Sequence, residues 1–141
     1  MPSNGLYPTR TLATIKYIVI HHTAGAERDF SAEEIARYHI GQGWPGIGYH
    51  YLLHWDGSID YCQDIHNMSY HIHGHNHDAI GICFSGDWSN LVPNDVMLDA
   101  GKALVLHLAT TAPGVFGHKE LALPGWETSC PGNKWLEWKQ L

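Results

Sequence analysis

Hydrophobic residues along this chain fall in short runs of strand length, and twice they recur at helical spacing. Residues 15–20 (IKYIVI) are rich in β-branched side chains and predict a buried strand that leads into His21 and His22. Ser31 followed by Glu34 is a capping-box pattern, with Phe30 placed as its hydrophobic staple. It opens a predicted helix over about 32–42, with Ala32, Ile35, Ala36 and His39 on one face, which Gly41, Gly43, Pro45 and Gly46 then stop. YHYLLHW (49–55) and SIDYCQ (58–63) read as strands joined at the Asp56-Gly57 turn, and AIGICFS (79–85) as another short buried strand. Asn94 is placed to cap a helix running to about 110, with Met97, Ala100, Leu104 and Leu108 at inward spacing. The second half of that helix, ALVLHLA, is apolar on nearly every side and predicts a helix covered by sheet. VFGH (115–118) reads as a short strand, and 133–140 as a last helix carrying Trp135 and Trp138. Residues 1–14 show little periodicity and read as an arm. This order predicts an α/β (α+β mixed) domain with one central mixed sheet flanked by helices.

Composition narrows the function more than the fold. The 141 residues suit a single domain, without an internal repeat or a linker to a second module. Eight Lys and Arg against fourteen Asp and Glu give a net charge of −6, which argues against a nucleic-acid partner. No run of eighteen apolar residues suggests a membrane span. Cys62, Cys83 and Cys130 are an odd set without CxxC spacing, so a disulfide framework is not expected, although a Cys62–Cys83 pair stays open. Twelve histidines are present, four of them in HIHGHNH (71–77).

Three places can each offer one metal ligand from a strand end or loop: His21 and His22, His118, and Cys130 in TSCPG. A catalytic zinc needs three protein ligands and an open position, and two imidazoles with one thiolate meet that need. Spacing alone is weak support, since His118 and Cys130 are twelve apart and His21 lies almost a hundred residues earlier. On residue types alone, Cys130 can equally be a small buried hydrophobe, with the histidines as satisfied polar groups.

Four segments in order carry a family resemblance: IVIHHTAG (18–25), GIGYHYLLHWDGSI (46–59), AIGICFSG (79–86) and GH(x)11CPG (117–132). Together they resemble the zinc-dependent N-acetylmuramoyl-L-alanine amidases, the group of phage lysozyme-type amidases and peptidoglycan recognition proteins. The resemblance implies the amidase-like fold, one catalytic Zn2+ held by His21, His118 and Cys130, and Tyr49 and Thr128 as catalytic residues. His22, on the opposite face of its strand, is expected to be structural. The HIHGHNH loop is expected to form a substrate-contacting wall through His71 and Asn76, with Trp44 as a further contact.

The implied partner is peptidoglycan, glycan strand and stem peptide together, bound by a monomer. The implied reaction cleaves the amide between muramic acid and L-alanine. A phage endolysin made in the cytoplasm without a signal peptide, and acting on the wall at lysis, is the expected setting. The alternatives are a non-catalytic recognition module and a bacterial muropeptide-recycling amidase. Two features depart from the pattern: Cys83 stands where the recycling branch has glutamate, and the connection 119–129 is longer than usual.

Overall fold

The computed structural model describes residues 1–139. Among these, the strands are β1 (Tyr17–His22), β2 (Tyr51–Leu53), β3 (Ile59–Tyr61), β4 (Ala79–Phe84) and β5 (Gly114–Gly117). The helices are α1 (Ala32–Gly41), α2 (Asp95–Leu108), α3 (His118–Leu121) and α4 (Trp135–Trp138), with a 3-10 turn at Leu12–Thr14. The strands form one sheet in the order β3-β2-β4-β1-β5. β1 runs parallel to β4 and β5, β2 runs parallel to β4, and β3 pairs antiparallel to β2. The sheet is therefore mixed, with β1 flanked on both edges.

Strand alternation sorts the apolar side chains onto two faces. Ile18 and Ile20 of β1, Ile80, Ile82 and Phe84 of β4, and Leu53 of β2 pack with Met97, Leu104, Val105 and Leu108 of α2, and with Trp135 and Trp138 of α4. On the other face, Leu52 and Cys83 pack against Ala32, Ile35 and Ala36 of α1, and Val19 and Ala79 against Ile72. α1 starts as its sequence requires: Ser31 accepts from the Glu34 N–H, and the Glu34 carboxylate accepts from the Ser31 N–H. Asn94 caps α2 by accepting from the Met97 N–H at 2.9 Å.

Several elements differ from the sequence expectation. α2 buries one face only, and Leu106 is 69% exposed, because a single sheet covers a single side of the helix. His118 opens α3 instead of ending β5. β2 and β3 keep only three residues each of their longer apolar runs. α4 is one turn, and the last residue of the expected helix, 140, lies outside the described residues. Residues 1–14 are anchored: Thr9 bridges to Asn67, and the Arg10 guanidinium donates to the carbonyls of Ile65, Asn76 and Ala79 at 2.8–3.0 Å. All three cysteines are free thiols.

Gly101 lets α2 approach the sheet. A Cβ there would sit 2.6 Å from Phe84 Cζ and 3.3 Å from Leu53 Cδ2. Gly101→Ala is expected to destabilise the fold by about 1–3 kcal/mol despite alanine's better helix propensity, because overpacking outweighs it. Denaturant unfolding checks this; a stabilised variant would show that the helix can shift away freely.

Candidate metal centre

β1 delivers His21 near the carboxyl end of an interior strand, where open α/β sheets carry their ligand sites. Alternation turns it to the α1 face, alongside Val19. His22 takes the other face, where its Nδ1 accepts from the Trp88 N–H at 3.0 Å. His118 follows β5, the neighbour of β1, and its ring centroid lies 4.8 Å from that of His21. Cys130 comes from a loop latched by Lys119, whose N–H donates to the Cys130 carbonyl at 2.8 Å and whose Nζ donates to the Gly132 carbonyl at 2.7 Å. Gly132 has φ +127°, and a Cβ there would overlap the Trp88 carbonyl, so the loop requires glycine at this position.

Among the described residues, His21, His118 and Cys130 bring one ligand atom each within 4.8 Å of one another. His21 Nδ1 and Cys130 Sγ are 3.8 Å apart. Bonds of about 2.0 Å to nitrogen and 2.3 Å to sulfur at a tetrahedral angle predict a separation of about 3.5 Å, so this donor set fits a tetrahedral metal ion with one position left open. Burial, helped by the neighbouring His71 and His118, holds the His21 imidazole well below its usual range, and burial brings His118 down to about 4. Both rings are therefore neutral and can ligate. Burial pushes the Cys130 thiol up to about 12, against the opposing effects of the His22 N–H and Lys119.

Tyr49 stands beside this trio, its ring centroid 5.2 Å from that of His21. Burial, together with the Cys83 and Cys130 thiols, raises its phenol well above the usual range, so the hydroxyl stays protonated and can donate. Its backbone is pinned on both sides. His39 Nδ1 accepts from the Gly48 N–H at 2.8 Å, and Gln63 Nε2 donates to the Tyr49 carbonyl at 3.1 Å. Thr128 Oγ1 accepts from the Cys130 N–H at 3.1 Å, which leaves its own proton free to donate.

A groove runs across the centre. A cavity of about 370 Å³ holds the trio, Tyr49 and Thr128. On one side it adjoins a cavity of about 560 Å³ lined by Arg28, Phe30, Glu34 and Tyr38, and on the other one of about 330 Å³ lined by Trp44, Tyr70, His73 and Trp126. Trp44 stacks on Tyr70 with centroids 5.9 Å apart. His73 stacks on Trp126 at 3.9 Å, and Trp126 is 57% exposed.

The HIHGHNH loop is arranged differently from a uniform wall. His71 is 8% exposed, and its Nδ1 lies 2.9 Å from His21 Nε2. Asn76 Oδ1 accepts from the N–H groups of His71 and Ile72, so its side chain shapes the loop from within. His75 and His77 lie beside Asp78, at 3.1 and 3.6 Å. Periodicity carried no signal for the inward turn of His71. Gly81 did carry one, since a glycine inside an otherwise apolar strand marks a close approach.

The groove wall at 23–30 is tied to the β2–β3 hairpin through His54. Its Nδ1 is 2.8 Å from Asp29 Oδ1 and its Nε2 is 2.8 Å from Asp60 Oδ2. Partial burial lowers its pKa, but the hydrogen bonds to Asp60 and Asp29 and their charges outweigh that and raise it. The protonated ring donates to both carboxylates, so this contribution is complete below the unfolded histidine value of about 6.5 and is lost as pH rises through the raised folded value. The buried histidines held low have the opposite sign: they cost stability as pH falls below about 6.5. A His54→Gln variant is therefore expected to lose more melting temperature, relative to the wild-type protein, at pH 6 than at pH 9. An equal loss at both values would refute the latch.

Residues 11–133 match the N-acetylmuramoyl-L-alanine amidase family, Amidase_2, and the chain belongs to that family. Peptidoglycan-recognition protein SC1a of Drosophila melanogaster is 32% identical over 132 residues, spanning 84% of this chain and 68% of that protein. Among solved structures, the Ph2119 endolysin from the Thermus scotoductus MAT2119 bacteriophage Ph2119 superposes with a TM-score of 0.82 at 31% identity, covering 96% of this chain and 89% of that one. N-acetylmuramoyl-L-alanine amidase LysC from Clostridium intestinale URNW gives 0.81 at 27% identity, covering 96% and 91%. The sheet order and helix placement described above are thus those of the amidase and peptidoglycan-recognition fold.

Proposed function

We propose that this protein is a zinc-dependent peptidoglycan hydrolase that cleaves the amide between the lactyl group of N-acetylmuramic acid and L-alanine, and that it works as a monomeric endolysin on the bacterial wall. The observation that carries this reading is the convergence of His21, His118 and Cys130 beside Tyr49 in an open groove. The likeness to the Ph2119 endolysin supports the setting. When bound, zinc would supply a Lewis acid for the amide carbonyl and a water of lowered pKa.

The remaining roles belong to side chains of this chain. Tyr49 donates a hydrogen bond from its phenol to the oxygen that gains negative charge, and Thr128 adds a second, neutral hydrogen bond to the same oxygen. Trp44, His71 and Asn76 belong to the wall along which the substrate lies. Trp126, stacked on His73, offers an exposed aromatic face to a sugar ring or peptide chain in the same groove.

Purified protein incubated with peptidoglycan is expected to release L-alanine amino termini, to stop when a chelator is added, and to resume when zinc is restored. Binding without release would mark a recognition module instead, and new reducing sugar ends would mark a glycosidase. Trp126→Ala is expected to raise KM about 2- to 10-fold with kcat unchanged, the worth of one stacked aromatic contact. An unchanged KM would place the substrate elsewhere.

A further inference from the structure

We propose that His71 is a positioning residue that sets the tautomer of His21, accepting the His21 Nε2 proton on its own Nδ1 so that His21 Nδ1 presents a free lone pair to the metal. The inference rests on the metal-site reading above. It concerns a residue placed among the substrate contacts by resemblance, and gives it a further task at the metal.

The geometry leaves one consistent arrangement. His21 Nε2 and His71 Nδ1 are 2.9 Å apart in a buried, edge-on contact, with ring centroids at 5.0 Å and planes at 81°. One of the two nitrogens must carry the shared proton. If His71 donated it, neutral His21 would hold its own proton on Nδ1, pointing at Cys130 Sγ 3.8 Å away, and no lone pair would face the centre. If His21 donates, Nδ1 is free. A ligating histidine generally gives its other ring N–H to an acceptor that fixes its orientation, and here that acceptor is a second imidazole.

The surroundings are built to hold His71 in this pose. Gly81 of β4 makes room for the ring, since a Cβ there would lie 2.8 Å from His71 Cγ and 2.9 Å from Nδ1. Asn76 Oδ1 clamps the backbone N–H groups of His71 and Ile72, and Ile72 is buried against Val19. The contrast with His50 is informative. That fully buried ring uses both nitrogens for the fold, Nδ1 accepting from the Gly81 N–H and Nε2 donating to the Asn67 carbonyl. His71 Nε2, in contrast, is buried without a hydrogen-bond partner among the described residues. The Ala79 carbonyl beside it, which accepts from Arg10, keeps a second lone pair, but its contact with His71 falls short of a well-formed hydrogen bond. A buried imidazole nitrogen left unpaired has a folding cost, so packing alone is a poor reason for histidine at this position.

The test is zinc affinity, measured by competition with a chromophoric chelator, with the visible spectrum of the Co2+-substituted protein as a second readout. His71→Ala is expected to weaken zinc binding about 10- to 100-fold and to alter the Co2+ bands. His71→Gln, whose side-chain oxygen can still accept, should recover most of that loss. Gly81→Ala leaves His71 in the chain but displaces its ring, and should weaken zinc in the same sense. Melting of the metal-free proteins monitors the fold, and should His71→Ala fail to fold, the other two variants carry the test. Wild-type zinc affinity in folded His71→Ala, or His71→Gln as weak as His71→Ala, would overturn the assignment. A wild-type protein that binds zinc yet releases no amino termini would instead refute the amidase reading and leave the His71 inference standing.

Discussion

Cys130→Ser is expected to abolish both tight zinc binding and peptidoglycan amidase activity while leaving the fold in place. Substituting a residue that merely supports a ligand costs about 10- to 100-fold in metal affinity, so replacing the ligand itself should cost more than about 100-fold. Serine is the sharper choice over alanine because it keeps the shape and the hydrogen bonds of the loop. The backbone anchors are unaffected: Lys119 still donates to the carbonyls of residues 130 and 132, and Thr128 still accepts from the residue 130 N–H. What changes is the donor atom. A hydroxyl does not ionise near neutral pH, and its oxygen sits closer to the chain than sulfur does.

Proton counting separates ligand loss from unfolding. In the metal-free protein the Cys130 thiol is pushed up to about 12, while His118, down at about 4, and His21, lower than usual, are already neutral at pH 7. Zinc binding should therefore displace the thiol's proton, with a further fraction from a bound water of lowered pKa, and affinity should rise with pH. Calorimetry in buffers of different ionisation enthalpy measures this release, and the serine variant should show none. A fully active Cys130→Ser protein would remove Cys130 from the centre and the proposed mechanism with it.

How much of this arrangement was legible in the sequence depends on the range of the interaction. IKYIVI, the Ser31–Glu34 cap and the Asn94 cap are local signals, and β1, α1 and α2 form where those signals put them. The neighbours of β1 were not legible, because pairing β1 with β4 and β5 joins residues about sixty and a hundred positions apart, with no local trace. The same holds for the centre. His21, His118 and Cys130 each sit at a strand end or loop recognisable by itself, but their convergence is a product of sheet order. Single polar side chains used as backbone clamps were invisible: nothing in periodicity marks Arg10 as the donor to three carbonyls, or Lys119 as the latch of the Cys130 loop. Histidine density was a poor guide for a related reason. His73 stacks on Trp126, His75 packs against Tyr17 and Asp78, His77 lies beside Asp78, and of the four only His71 reaches the centre.

Tyr49→Phe is expected to lower kcat about 10²- to 10³-fold with little change in KM and none in zinc affinity. The substitution removes one oxygen and leaves the ring, which packs 5.2 Å from His21 and 5.4 Å from His39. Binding surface and metal site thus persist, and the loss falls on the transition state, where charge develops on the carbonyl oxygen. The direction of the phenol's pKa decides its role. Held well above its usual range by burial and by the adjacent Cys83 and Cys130 thiols, Tyr49 keeps its proton, and the role proposed for it is therefore that of a hydrogen-bond donor and not of a general base. The pH profile of the residual Tyr49→Phe activity should therefore keep the wild-type shape at a lower height. A profile that loses its acidic limb would show Tyr49 titrating in the reaction. A rise in KM at constant kcat would make Tyr49 a substrate contact, and the stabilisation of the developing charge would then fall to Thr128, whose hydroxyl is already oriented by the Cys130 N–H.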